Sequence, residues 1–191
     1  FTIPRGNNNE TIYLAEQYKG RTYFYLNHFM EGKGKERNPD QQTGIFWDVS
    51  ASGVKRDIAK EKELLRSYLK AIGNTKVSLV PFHVRAAQPQ VFDIREGNSE
   101  ALMTAIDKLV YDGGTSYGSI DLHDYGFDAA LLFSDGLASF GPKEIIMTDI
   151  PVTTINTSPS ADFANLKYIA QQSKGKWIDL GSSTTGDALR T

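Results

Sequence analysis

A chain of 191 residues with 40 % apolar and 23 % charged side chains can bury one full domain core with some chain to spare. Its formal charge of −2 excludes the broad basic field that nucleic acid or an anionic membrane surface would select, and the absence of cysteine removes disulfides, thiolate metal sites and a cysteine nucleophile. No apolar run is long enough to span a bilayer and no signal peptide is visible; because the chain starts at Phe1 rather than Met, it is expected to be a fragment or a processed form, which leaves localisation open.

In chain order, TIYLAEQYKGRTYFYLNHF (11–29) is rich in Tyr, Phe and Thr. Lys19-Gly20 at its middle predicts a turn between two extended runs, a β-hairpin. The polar EGKGKERNPDQQTG (31–44) reads as a linker whose basic residues are diluted by Glu31 and Glu36. The expected organisation is therefore a hairpin and linker over 1–42 and a main domain over 43–191. From Gly44 onward strands and helices alternate. A short buried strand is predicted at 45–49 and a helix over 54–74, with Val54, Ile58, Leu65, Tyr68, Leu69 and Ile72 on one face and Gly73-Asn74 as its stop. Strands follow at 76–84 and 89–94, Pro89 placing the second at an edge. A helix over 99–110 takes Ser99 as its N-cap. Beyond the glycine-rich DGGTSYG (112–118), strands are predicted at 129–136, 152–158 and 176–181. A helix opens at Ser158-Pro159 and runs through Ser173. This alternation, with several strands apolar throughout, predicts an α/β fold: a doubly wound, mostly parallel central sheet with helices on both faces, Rossmann-like, preceded by a short β-hairpin.

Ligands in such sheets sit beyond the carboxyl ends of the strands, where strand order reverses. Three oxygen-bearing clusters fall at expected strand or loop ends: Asp48, Ser50 and Ser52 in DVSASG, Thr115 in GGTS, and Asp135 in FSDG. Side chains at i, i+2 and i+4 of an extended segment project the same way, which groups the first three. Gly53 lets the backbone turn into a helix whose N-terminus adds partial positive charge. Two carboxylates and three hydroxyls, with no His or Cys, suit a hard divalent cation, Mg²⁺ first, with Mn²⁺ or Ca²⁺ as alternatives. Hydroxyl donors leave most of the cation's charge unneutralised, so an open coordination position attracts a carboxylate from another molecule.

In order and spacing, DVSASG, the Thr of GGTS and the Asp of SDG resemble the three parts of the metal-ion-dependent adhesion site of von Willebrand factor type A domains, over roughly residues 43–181. The resemblance implies that Ser50, Ser52 and Thr115 bind the metal directly or nearly so. It implies that Asp48 and Asp135 act through water or hydrogen bonds, and that a partner's Asp or Glu completes the shell. It further implies a non-enzymatic protein-binding module with an extracytoplasmic or cell-surface setting. The aromatic ETIYLAEQYKGRTYFYLN ahead of the DVSASG strand is similar to the junction in bacterial relatives of the inter-alpha-trypsin inhibitor heavy chains, which carry a VIT domain upstream.

Rival readings have specific weaknesses. GTSYG (114–118) fits the G-x-S-x-G pattern around Ser116, but the preceding segment has helical spacing and His123 is too near in sequence to be a distant triad partner. A phosphohydrolase of haloacid dehalogenase type could use Asp48 with Mg²⁺, but Ser50 stands where a second Asp is wanted, and Lys143 and Asp149 are loose candidates for the remaining roles. A structural scaffold with a vestigial site is a third reading. Asp121, Asp124 and Asp128 read as a solvated acidic patch, His83 as a core or loop histidine, and Asn156-Thr157-Ser158 as a formal glycosylation sequon.

Overall fold

A computed structural model describes residues 11–28 and 42–190. The chain divides into two compact units, Phe1–Arg37 and Asn38–Thr191. Most of the linker expected at 31–44 lies outside the described residues.

In the first unit, β1 (Ile12–Tyr18) pairs antiparallel with β2 (Arg21–Asn27), Tyr18 opposite Arg21. Lys19 (φ 49°) and Gly20 (φ 72°) both take positive φ, the turn whose twist matches that of the flanking strands. Tyr13, Tyr18, Tyr23, Phe24 and Leu26 are exposed.

The second unit is built on β3 (Gln42–Asp48), β4 (Thr75–Phe82), β5 (Gln90–Ile94), β6 (Ala129–Phe133), β7 (Val152–Asn156) and β8 (Trp177–Asp179), in the order β5-β4-β3-β6-β7-β8. All neighbouring pairs are parallel except β4–β5, which is antiparallel at the edge that Pro89 foretells. From β3 the chain steps outward to β4 and β5, then returns to lay β6 on the other side of β3. The reversal of strand order therefore falls between β3 and β6, and sheets of this kind hold their ligands beyond the carboxyl ends of the strands at that point.

The pleat of β3 sends Ile45 and Trp47 to one face and Phe46 to the other. The first face packs under α1 (Ile58–Ile72), α2 (Glu100–Asp107) and α4 (Thr185–Arg190) through Leu64, Leu65, Leu69, Leu102, Met103, Ile106 and Ala188. The second is covered by α3 (Phe163–Gln172) and by an irregular stretch carrying Tyr117, Ile120, Leu122 and Phe127. That stretch, polar at first reading, contains two 3₁₀ turns, Tyr117–Ser119 and Leu122–Asp124, and buries an apolar side chain at nearly every bend.

Two helix starts and one cap differ from expectation. A 3₁₀ turn at Ala51–Lys55 precedes α1, which begins only at Ile58, with Asp57 as its N-cap accepting from the Lys60 amide. Val54 is consequently 65 % exposed rather than on the buried face, and no α-helix N-terminus follows Gly53 directly. Ser99 is the N-cap residue of α2 as expected, but its side chain makes no capping bond; Asn98 Oδ1 accepts from the Glu100 amide. Ser158-Pro159 does not open α3: Ser158 Oγ accepts from the Ser160 amide at 3.3 Å, but only within a turn, and α3 begins at Phe163 with Asp162 as its cap, accepting from Asn165 N. The sequence reading also left α4 unassigned.

Candidate metal centre

Asp48 is the last residue of β3 and is fully buried. Both carboxylate oxygens are engaged: Oδ1 accepts from the Ser50 amide at 2.9 Å and Oδ2 from Ser134 Oγ at 2.5 Å. The register pairs Trp47 with Phe133, so Ser134, one residue past β6, stands beside Asp48 at the end of β3. Ser134 has one proton and gives it to Asp48. The 2.6 Å contact between Tyr117 Oη and Ser134 Oγ must therefore run from tyrosine to serine, and the Gly136 amide adds a second bond to that oxygen at 3.2 Å. Burial raises the Asp48 carboxyl above the usual range against the pull of Arg56 and of the Ser134 and Ser50 hydrogen bonds. The Tyr117 phenol is raised well above the tyrosine range, by burial first and then by the charges of Asp48 and Asp135.

Ser50 is buried and its hydroxyl lies 3.1 Å from that of Ser52. Gly53 has a packing role here: a Cβ would come within 2.9 Å of the Tyr111 ring, whose hydroxyl accepts from Trp47 Nε1 at 2.8 Å. The loop after α2 is stitched to the end of β3 by Asp112 N to Val49 O and by Ala51 N to Gly113 O, both 2.9 Å. It is stitched to the end of β4 by Ser116 N to His83 O, also 2.9 Å. These bonds hold Thr115 at the sheet's carboxyl edge, where its side chain is buried and its hydroxyl has no hydrogen-bond partner. Asp135 lies two residues past β6, buried, with Oδ1 accepting from Leu137 N at 3.0 Å. Gly136 (φ 78°) turns the chain there, and a Cβ on it would stand 2.6 Å from the carbonyl of Asp162.

All five residues named from the sequence thus stand at one sheet edge. Hydrogen bonds join Asp48 to the Ser50 amide and Ser50 to Ser52, whereas the Thr115 hydroxyl bonds to none of them. An unpartnered buried hydroxyl costs about 1–3 kcal/mol, and a hard cation is a partner that its oxygen fits. Among the described residues no three His, Cys, Asp or Glu side chains gather as a metal cluster, so a cation site at this edge has to draw on hydroxyls.

Beneath the site lies a buried ion pair that sequence reasoning missed. Arg56 Nη2 donates to the Asp48 carbonyl at 2.6 Å, and Arg56 Nη1 stands 3.6 Å from Glu61 Oε2 with both side chains wholly buried. Glu61 Oε1 accepts from Thr157 Oγ1, which in turn accepts from the Asp57 amide, each at 2.8 Å. Glu61 falls on the helical stripe of Ile58 and Leu65, at i+3 and i+7, and a charge in an apolar stripe is the signal that could have found it. Ser134 and Tyr117 were also missed. A serine beside an aspartate carries no such mark.

A second strand end repeats the first in neutral form. In NTSPS, as in DVSAS, the side-chain oxygen of the first residue accepts from the amide two residues on: Asn156 Oδ1 from Ser158 N at 2.8 Å. The two serine hydroxyls again approach each other, Ser158 and Ser160 at 3.2 Å. Asn156 is fully buried, and its Nδ2 donates to the Ser158 carbonyl, so the formal sequon is packed inside the fold.

The rival chemistries find little support. Ser116 sits on no strand-to-helix elbow, and His123 bonds to Asp121 within an exposed turn. Asp149 precedes β7 at the amino edge of the sheet, opposite to Asp48, and pairs at 3.9 Å with Lys174. Asp128 accepts from the Gln42 amide at the same amino edge, consistent with a surface role for the acidic patch. No helix among the described residues is long and apolar enough to cross a membrane.

No protein-family model matches the chain. No curated protein matches it either. Solved structures do. An aerotolerance-related membrane protein from Bacteroides fragilis superposes with a TM-score of 0.61 at 16 % identity, over 78 % of this chain and 95 % of that one. BatB from Bacteroides thetaiotaomicron gives 0.56 at 14 % identity, over 78 % and 94 %. A von Willebrand factor type A protein from Catenulispora acidiphila gives 0.53 at 15 % identity, over 79 % of this chain and 41 % of that one. The six-stranded unit of this chain has the fold of a von Willebrand factor type A domain.

Proposed function

We propose that the main unit is a cation-dependent protein-binding module rather than an enzyme. Ser50, Ser52 and Thr115 would hold Mg²⁺ directly, Asp48 and Asp135 would act through water or hydrogen bonds, and an Asp or Glu of a partner protein would complete the shell. The cation supplies positive charge for a carboxylate at an edge whose own two carboxylates, Asp48 and Asp135, would repel it. The chain's own residues do the positioning: Arg56 fixes the end of β3, and Ser134 with Tyr117 orients Asp48. The observation that carries the reading is the buried, unpartnered Thr115 hydroxyl at the same sheet edge as two buried carboxylates. In the same reading the aromatic hairpin is the end of an upstream VIT-type domain.

Calorimetric titration of the chain with Mg²⁺ and Mn²⁺, beside an Asp48→Ala/Ser50→Ala variant whose folding is checked by circular dichroism, tests this. Saturable binding that the folded variant loses is the expected result. An intact chain that binds neither ion would sink the proposal and leave a scaffold with a vestigial site.

A further inference from the structure

Among its described residues the main unit leaves eight large apolar side chains exposed, and three of them stand on the loops that carry the candidate metal residues. Val54 is two residues past Ser52 and 65 % exposed; Leu137 is two past Asp135 and 39 % exposed; Phe140 is 64 % exposed. The segment bearing Leu137 and Phe140 is fixed to the Thr115 loop from both sides. Ser139 N and Phe140 N donate to the Thr115 carbonyl at 3.1 and 3.0 Å, and Thr115 N donates back to Ser139 Oγ at 2.9 Å. Leu137 N is held by Asp135 itself. Gly114 permits the approach, since a Cβ there would lie 2.7 Å from Ser139 Oγ and 3.4 Å from Phe140 Cβ. The apolar side chains are thus displayed by a backbone that cannot fold them away without breaking bonds to the site.

Charge selects the occupant. Residues 110–119 and 134–142 contain no Lys or Arg, while Asp112 and Asp135 lie within them and Asp48 lies beneath; the third loop carries one exposed cation, Lys55, and Arg56 is buried against Glu61. A bare acidic ligand would meet Asp112 and Asp135 unless a cation is bound, and the single exposed Lys55 gives a phosphorylated partner no basic cluster to bind. What fits is one carboxylate for the cation and uncharged, greasy neighbours for the rim. We infer that Leu137 and Phe140 form an apolar subsite beside the cation position, so that the partner is a protein segment whose Asp or Glu is flanked by a large apolar side chain. This rests on the cation-dependent reading above and adds the identity of the flanking residues.

The test is a set of short peptides with a central Glu or Gln, flanked in turn by Leu, Phe, Ser, Lys or Glu, titrated against the whole chain in Mg²⁺ and in chelator. Central Glu with Leu or Phe neighbours should bind about tenfold tighter than with Ser neighbours, the gain from burying one such side chain. Phe140→Ser/Leu137→Ser should erase that preference while keeping the Mg²⁺ isotherm and the weak binding of Ser-flanked peptides. An equal affinity for all flanks, a preference that survives in the double variant, or no peptide binding by the Mg²⁺-loaded chain each overturns the subsite and leaves the cation site standing. Absence of Mg²⁺ binding in the same calorimeter overturns both.

Discussion

Ser134 has one hydrogen, and the fold spends it on Asp48, which makes the serine the middle member of a buried relay from Tyr117 to the carboxylate. Removing the middle strands both ends. Ser134→Ala leaves the Tyr117 hydroxyl and Asp48 Oδ2 each one partner short inside the protein, and should lower stability to chemical denaturation by about 1–3 kcal/mol. Tyr117→Phe removes only the terminal hydroxyl, leaves Ser134 bonded to Asp48 and Gly136, and should cost about 1 kcal/mol. A reversed order in urea melts would mean that Ser134 donates to Tyr117 and not to Asp48. The visible part of this site in the sequence was its oxygens, because alternate spacing along a strand end is a local property of DVSAS. Ser134 was not visible, since its partner is set by the Trp47–Phe133 register across 86 residues.

At the scale of elements, two helices start downstream of expectation and one cap works without its side chain. Ser99 and Ser158 are good caps by residue type, but a side-chain cap bonds the amide two or three residues on and needs the backbone to enter a helix there. Ser99 stands at the N-cap of α2 with no side-chain bond, and the Ser158 hydroxyl holds the Ser160 amide in a turn that no helix follows directly. Asp57 and Asp162 do the capping that the sequence analysis left unassigned. Asp57→Ala and Asp162→Ala should each cost about 1 kcal/mol, and Ser99→Ala should cost less, read as shifts of the urea midpoint. Equal losses at all three positions would contradict the absence of a side-chain cap at Ser99. Strand positions were legible because apolar runs bounded by turn residues are local signals. The order β5-β4-β3-β6-β7-β8 was not, since pairing is decided by residues far apart in the chain.

For the molecule as a whole, the Arg56–Glu61 pair joins the end of β3, the start of α1 and the loop after β7 into one buried assembly. Burial raises the Glu61 carboxyl from 4.5 to about 7, outweighing the attraction of Arg56 and the Thr157 hydrogen bond. A carboxyl that holds its proton more tightly when folded contributes stability that is complete below 4.5, declines as pH rises, and is gone above about 7. In chelator, the melting temperature of the intact chain should therefore carry a component that falls between those limits, and Glu61→Gln should flatten it. A variant whose pH profile keeps the same slope would show that Glu61 is ionised throughout. Charged residues on an amphipathic helix are read as solvated by default, which is why this pair escaped notice until its burial was seen.

The neutral repeat at the end of β7 has a consequence for how such a site arises. Two parallel strands, separated by β6 in the sheet, end in the same knot of side chain, amide and paired hydroxyls, one headed by Asp48 and the other by Asn156. The knot is therefore something the sheet edge makes for its own geometric reasons, before any ligand is considered. One heavy atom, oxygen at the first strand end and nitrogen at the second, decides which copy carries a negative charge and which closes upon its own backbone.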